Sequence, residues 1–340
     1  MIKMEVNENS KSVTNTEANK LCEACQQFEI SEESFTSDSH TGQRMHQLGY
    51  YQDIFDRKQC PLCRLIAEAY WEGPLPHGPR STASWTKDLR IQGYWCQSPG
   101  SDPNISSLQI FMIQSHQDRK ATLMIRPFES GEGSQAHCAR RITSALIDLE
   151  EAKFWLRNCE ETHTCNSMLP KSIKRPALFK FVDVEQMCLV EAPEASRYLV
   201  LSYVWGTRPM FLTKIANLES LSTPGGLTHR FMDICPTIRD AIDFTKRLGE
   251  RYLWVDSLCI VQDGPEKGLV IQDMDLVYSQ ATAMICAADD KCQENGFPGV
   301  VHPRYAKQYV GEILPGLEVV AQYSPMAWTE NTIYSTRGWT

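Results

Sequence analysis

Tyr198-Leu-Val-Leu-Ser-Tyr-Val-Trp-Gly206 and Arg251-Tyr-Leu-Trp-Val-Asp-Ser-Leu-Cys-Ile-Val-Gln-Asp263 are the stretches on which the reading of the fold turns. Each is a short apolar run that ends in polar, aromatic or glycine residues. A strand buried on both faces has this composition when it carries a site at its carboxyl end. Between the two runs, Pro236 and Thr237 open a helical pattern. Ile238, Ala241, Ile242, Phe244, Thr245 and Leu248 form its inner stripe, and Gly249 fits the position just past its end. The second run is expected to be a strand over 252–260. A loop at Gly264-Pro265 leads into a second helix with Ile271, Met274, Val277, Tyr278 and Ala281 on one side, and a strand over 282–287 follows. Strand, helix, strand, helix, strand is the rhythm of a parallel sheet covered by helices. Open sheets of this kind bind ligands outside the carboxyl ends of their strands. That expectation gathers Ser202, Trp205, Gly206, Asp256 and Gln262 into a candidate pocket.

The chain has 340 residues, which suggests about two domains. Hydrophobic residues make up 42% and charged residues 22%, enough apolar material for a sizeable core. The formal net charge is −8 and no strongly basic stretch stands out, which argues against binding driven by nucleic-acid phosphates. No uninterrupted apolar run is long enough to cross a bilayer. Residues 1–20 are polar, lack the apolar core of a signal peptide and are expected to be a disordered tail. The 13 cysteines are an odd number in a long chain, unlike a secreted disulfide scaffold. Cys188, Cys259 and Cys286 sit inside apolar runs, where a reduced thiol behaves as a small hydrophobe. The usage fits a reducing compartment, the cytoplasm or else the nucleus.

Residues 21–190 have the texture of an α+β region. Its first part carries Cys22-x-x-Cys25 and Cys60-x-x-Cys63 with a helical pattern. Pro74, Pro76, Gly78 and Pro79 break any helix, and 89–95 and 108–113 then run as strands do. Gly131, Gly133 and Ser134 mark a loop. Leu146, Ile147, Leu149, Phe154, Trp155 and Leu156 suit one amphipathic helix over 142–159. The runs 179–184 and 187–190 suit a hairpin. Two thiolates two residues apart can bite one zinc ion, and a second pair completes a tetrahedron. Cys159, His163 and Cys165 are alternate ligands, as are His40 and His46. The competing reading has Cys60 and Cys63 as helix-surface or core thiols.

Several motifs in a fixed order carry a family resemblance. They are Leu201-Ser-Tyr-Val-Trp-Gly206, Thr237-Ile-Arg-Asp-Ala241, Tyr252-Leu-Trp-Val-Asp-Ser-Leu-Cys-Ile260, Gln262-Asp263, Met274, Tyr278-Ser-Gln-Ala281, Gly296-Phe-Pro-Gly299 and Thr336-Arg-Gly-Trp-Thr340. Together they resemble the HET (heterokaryon incompatibility) domain of filamentous fungi over 197–340, with Tyr203, Asp240, Trp254, Cys259, Arg337, Gly338 and Trp339 as motif positions. The upstream Trp155-Leu-x-x-Cys159-x-x-x-His163-x-Cys165 is also usual before such domains. The resemblance implies a fungal intracellular protein of non-self recognition and programmed cell death, with other proteins and its own copies as partners. It implies a flavodoxin- or TIR-like, mostly parallel sheet with flanking helices. Some TIR domains cleave NAD with a catalytic glutamate. In the HET family Arg-Gly-Trp-Thr usually continues into Leu-Gln-Glu, whereas this sequence stops at Thr340. The resemblance therefore assigns no catalytic residue here and favours a non-enzymatic role. The alternatives are a TIR-like NAD glycohydrolase and an inactive, truncated copy.

The candidate residues each have a plainer reading. Asp256 could hold a ribose hydroxyl, or cap a loop, or pair with Arg251 or Arg337. Cys259 could be a nucleophile only beside a base or cation; otherwise it is an inert buried thiol. Trp205-Gly206 could line a pocket or fill the core. The acid pairs Asp273/Asp275 and Asp289/Asp290 fit solvated or capping positions better than acid–base work.

Overall fold

In the computed structural model the described residues are 20–36, 44–72, 89–97, 106–113, 119–128, 138–162, 179–191, 193, 196–206, 209–288, 295–304 and 307–323. In chain order the elements are α1 (Glu23–Gln26), β1 (His46–Tyr50), α2 (Tyr51–Asp56), α3 (Pro61–Glu72), β2 (Arg90–Gln97), β3 (Ser106–Ile113) and β4 (Arg119–Pro127). Then come α4 (Leu149–Thr162), β5 (Phe181–Asp183), β6 (Cys188–Val190), β7 (Leu199–Ser202), α5 (Ile215–Leu221), α6 (Pro236–Leu248), β8 (Tyr252–Trp254) and α7 (Asp256–Cys259). The last are α8 (Lys267–Gln272), α9 (Met274–Ser279), β9 (Ala283–Cys286), β10 (Tyr309–Leu314) and β11 (Leu317–Tyr323). Two compact units result: Met1–Ile142 with Lys307–Trp328, and Thr143–Ala306 with Thr329–Thr340.

The first unit holds a six-stranded sheet in the order β1-β2-β3-β4-β11-β10. Every pairing in it is antiparallel. Leu108, Ile110 and Met112 on β3, Leu123 and Ile125 on β4, and Val319, Ala321 and Tyr323 on β11 recur with a period of two and join one core. Leu62, Leu65, Ile66, Ala69 and Tyr70 of α3 belong to the same core. Two buried phenols tie helix to sheet: Tyr70 donates to Ile110 O at 3.1 Å and Tyr323 donates to Ala69 O at 2.9 Å. Gly93 is required by close approach, because a Cβ there would lie 2.6 Å from Ile110 Cδ1 and 2.9 Å from Phe28 Cζ.

The second unit holds a five-stranded sheet in the order β6-β5-β8-β7-β9. β7 is parallel to both β8 and β9, while β5 is antiparallel to β8 and β6. The three-strand parallel core is thus extended by an antiparallel hairpin. The expectation of a mostly parallel sheet applies to the β8-β7-β9 part and not to the sheet as a whole. All of β7 is buried, as a strand covered on both faces must be. α6, the crossover from β7 to β8, follows its sequence signals closely. Pro236 opens it, and Gly249 closes it at φ 91° with hydrogen bonds from Gly249 N to Lys246 O and from Glu250 N to Thr245 O. Its buried stripe of Ile238, Ala241, Ile242, Thr245 and Leu248 shares a core with Leu199, Val200, Leu201, Leu253 and Trp254.

Other expectations need correction. The strand expected over 252–260 stops at Trp254, and Asp256–Cys259 turn into helix instead. The Asp256 carboxylate accepts the Ser257 N–H at 2.6 Å, and Cys259 N–H bonds Val255 O at 2.7 Å, so the backbone leaves the ladder. The single second helix is two, α8 and α9, because Asp273 has non-helical angles (φ −98°, ψ 14°); Ile271 is exposed rather than buried. The helix expected from residue 142 starts only at Leu149. Asp148 caps it through Oδ1 to the N–H groups of Glu150 and Glu151 at 3.0 and 3.2 Å. The chain just before it is engaged elsewhere, with Ile147 N bonding Gly299 O at 2.7 Å and Arg304 N bonding Ala145 O at 2.8 Å. Cys286 is exposed, whereas Cys188 and Cys259 are buried. The pairing of β11 with β4 places residues 307–323 in the first unit. The expected tail at 1–20 and the acids Asp289 and Asp290 lie outside the described residues, except Lys20.

Asp183 is the most buried acid among the described residues of the second unit, with its side chain 1% exposed. It accepts Arg251 Nε and Nη2 at 2.9 and 2.8 Å and the N–H groups of Glu185 and Gln186 at 3.0 and 2.9 Å. Burial pushes its carboxyl up, and these donors outweigh burial and hold it below the usual carboxylate range. Its stabilisation is therefore complete above that range and is lost as pH falls through it to the depressed folded value. Asp183→Asn is expected to cost ~2 kcal/mol at neutral pH and to flatten the acid limb of stability, read by chemical denaturation between pH 3 and 7 at about one-unit steps.

Candidate functional site

The parallel alignment of β7 and β8 sends both strands out at one rim, where two side-chain bonds join the segments beyond their ends and two more brace the segment after β8. Tyr203 OH and Ser257 Oγ lie 3.0 Å apart, both buried. Trp205 Nε1–H donates to Asp256 Oδ2 at 2.8 Å. Gln262 Nε2 donates to the backbone oxygens of Asp256 and Ile260 at 3.0 and 3.2 Å. Burial drives the Tyr203 phenol well above its usual range, with the Asp256 charge adding to it, so the hydroxyl keeps its proton. Ser202 is buried at the end of β7, its carbonyl accepting Ala287 N–H at 2.8 Å. Trp205 is 42% exposed, so its ring does not fill the core. Gly206 follows it at the same strand end. Each oxygen of the Asp256 carboxylate thus holds a protein donor. Arg251, one partner considered for Asp256, is bound to Asp183 instead.

The loop between β7 and α6 is pinned to the same rim. Thr213, fully buried, donates from Oγ1 to Leu258 O at 2.7 Å; its N–H bonds Ser257 O and its carbonyl accepts Gln262 N–H. Asp263 Oδ1 accepts the first N–H of α5, that of Ile215, at 2.8 Å. Asp240 on α6 accepts Phe297 N–H at 2.7 Å, and Gly296 at φ 72° leaves room for it, since a Cβ there would sit 2.1 Å from Asp240 Oδ2. Burial raises the Asp240 carboxyl, and the Phe297 amide partly offsets this. Trp254 is wholly buried and meets the Tyr278 ring edge-on at 5.9 Å. Cys259 is buried, and desolvation pushes its thiol up to about 12, which keeps it protonated at neutral pH. Arg337, Gly338 and Trp339 lie outside the described residues.

A second cluster lies in the first unit. The Sγ atoms of Cys22, Cys25, Cys60 and Cys63 all lie within 4.8 Å of one another, with the last three buried. Each Cys-x-x-Cys pair straddles the first turn of a helix, with Cys22 before α1 and Cys60 before Pro61 of α3. Hydrogen bonds from Cys25 and Cys63 lower the Cys60 thiol, helped by the N–H groups of Cys22 and Cys63, while the bonds to Cys60 and Cys63 raise Cys25. Burial lowers the Arg57 guanidinium, but the charge of Cys22 and Cys63 outweighs burial and holds it above its usual value. His46 shares a hydrogen bond with Gln27 at 3.2 Å and is not part of the cluster. Cys159 lies on α4 in the second unit and is likewise not part of it. His40, His163 and Cys165 lie outside the described residues.

Residues 198–340 match the family model described as Heterokaryon incompatibility protein (HET). They are a HET domain. Comparison with curated proteins and with solved structures returned no match. The HET motif residues that the structure describes act largely as cross-links: Tyr203, Trp205, Asp256, Asp263 and the backbone N–H of Gln262 join the loops after β7 and β8, and Asp240 holds the Gly296-Phe-Pro-Gly299 turn. Sequence reasoning found most of these positions but not Thr213 or Asp183, each an isolated polar residue with no pattern to mark it.

Two sets of variants test the cross-links. Tyr203→Phe and Ser257→Ala are each expected to cost ~1 kcal/mol, and the double variant less than their sum, in a double-mutant cycle of unfolding free energies. Asp240→Ala is expected to cost ~1–2 kcal/mol, and Asp240→Asn less, because an amide oxygen can still accept Phe297 N–H without the buried charge. Equal losses for Ala and Asn would show that the hydrogen bond does not matter.

Proposed function

We propose that this chain is a signalling and interaction protein of the heterokaryon incompatibility type, acting in non-self recognition and programmed cell death through assembly of its α/β domain. The observation that carries the reading is the HET match over 198–340, whose motif residues in the second unit hold the strand-end loops in one arrangement. An acid poised for cleavage of a ribosyl bond needs open access, whereas both Asp256 oxygens are engaged by Trp205 and Ser257. That favours a scaffold presenting surfaces over a hydrolase. The β8-β7-β9 order, second strand beside first beside third, supports a TIR-like arrangement for the parallel part. β9 is one of the two outer strands of the described sheet and its Met284 is 51% exposed, which suits contact with a further chain. The partners are other proteins, copies of this chain included, and the cytoplasm is the proposed site of action. Among the described residues no helix is long and apolar enough to cross a membrane.

Contacts between unlike surfaces build open arrays when the rotation does not close. Light scattering of the purified chain is therefore expected to show mass rising with concentration, and Met284→Lys to suppress the rise. A strict monomer throughout the accessible range, alone and in extracts of challenged cells, would overturn assembly. NAD consumption lost on Asp256→Asn would instead favour the glycohydrolase reading.

A further inference from the structure

We infer that Cys22, Cys25, Cys60 and Cys63 hold one zinc ion in a closed site of four thiolates, in the first unit and outside the HET match.

Geometry is the first support. A tetrahedral zinc with Zn–S bonds of ~2.3 Å sets its sulfurs ~3.8 Å apart. Cys22 and Cys25 lie 3.7 and 3.5 Å from Cys63, and all four sulfurs fall within 4.8 Å of one another. Those separations are too long for a disulfide, whose sulfurs sit ~2.0 Å apart. They are also mutual rather than paired, with Cys63 close to both cysteines of the other motif. Four thiols converging on one point have little else to satisfy them, since sulfur is a weak donor and acceptor.

The backbone supplies the second support. Both pairs use the same device, one cysteine at the helix entry and one three residues on, so the two sulfurs share a face. Helix entries stabilise thiolates, and α3 runs for 12 residues behind Cys60. Arg57 comes from the end of α2 and fixes its position by donating to Leu48 O at 2.5 Å. A cation there balances the excess negative charge that four thiolates leave around a divalent ion.

The donor set selects the metal. Sulfur alone excludes magnesium and calcium, which require oxygen. Zinc and iron remain, and the closed, buried arrangement marks a structural ion with no open position for substrate. The role follows from where the ligands come from. α1 has 4 residues and the helical turn after it has 3, too short to stand alone. The ion would clamp this segment to α3 across a separation of 38 to 41 residues, beside the apolar anchors Phe28 and Phe35.

Metal analysis of the full-length chain after gel filtration is the test. The expected result is about one zinc per chain, with zinc loss on chelation accompanied by lowered thermal stability. Chain produced with cobalt in place of zinc should show the intense thiolate-to-cobalt absorption of a tetrahedral sulfur site. Cys25→Ser and Cys63→Ser should retain about tenfold less zinc, whereas Cys188→Ser, outside the cluster, should retain it fully. Soluble wild-type chain with negligible metal, or with cobalt spectra lacking thiolate character, would overturn the site. Iron in place of zinc would overturn the metal assigned. The wild-type measurements decide the matter even where a cysteine variant fails to fold, and they are independent of assembly and of NAD consumption.

Discussion

The parallel pairing of β7 with β8 on one side and β9 on the other is the constraint that organises the second unit. Its register, Leu199 with Leu253 and Ala283, Val200 with Trp254 and Met284, fixes which ends lie together. A strand paired along both edges and covered on both faces has nowhere to put a polar side chain except beyond its ends. Polar groups of the sequence therefore accumulate after Ser202 and after Val255, and the loops there must satisfy one another. Tyr203 with Ser257, and Thr213 with the backbone at Ser257, Leu258 and Gln262, are that satisfaction. A buried hydroxyl left without its partner costs about 1–3 kcal/mol, so these loops are held more firmly than their irregular course suggests.

The same logic separates conspicuous residues from reactive ones. Asp256 starts a helix, Asp183 ends a strand and Asp240 lies within α6, and each is occupied by named donors. Their environments nonetheless differ in sign. Asp183 has a guanidinium beside it and sits low, whereas Asp240 has one principal amide donor and burial prevails. Cys259 is the extreme case, where desolvation, with the Asp256 charge adding to it, outweighs the backbone bonds at Val255 and Val182 and raises the thiol.

Local chemistry decided which elements could be read from the sequence. α6 was legible at both ends and along its stripe, because Pro236, Gly249 and a 3.6-residue period are unambiguous. The cysteine pairs were legible as a possibility from spacing, though only the fold brings the second pair to the first. The failures share a cause. In Tyr252–Ile260 a largely apolar run broken only at Asp256-Ser257 is compatible with strand or buried helix, and the side chain of Asp256 tips the second half to helix. At Asp273 and Asp148 a single acid ends or starts a helix inside a periodic stretch. The hairpin of β10 and β11, turning at Pro315 and Gly316, carried a local signal that the motif-led boundary at residue 340 obscured.

Pairing of β4 with β11 has a temporal consequence. Five residue pairs, Val319 with Pro127 through Tyr323 with Leu123, join segments that leave the ribosome almost two hundred residues apart. At about 5–20 residues per second that interval lasts on the order of ten seconds or more. During it the edge of β4 waits unpaired, while the strands and crossovers of the intervening insert can already close on themselves. Residues 143–306 are thus made before the first unit is complete, and the open edge of β4 is the part of the nascent chain most in need of a chaperone.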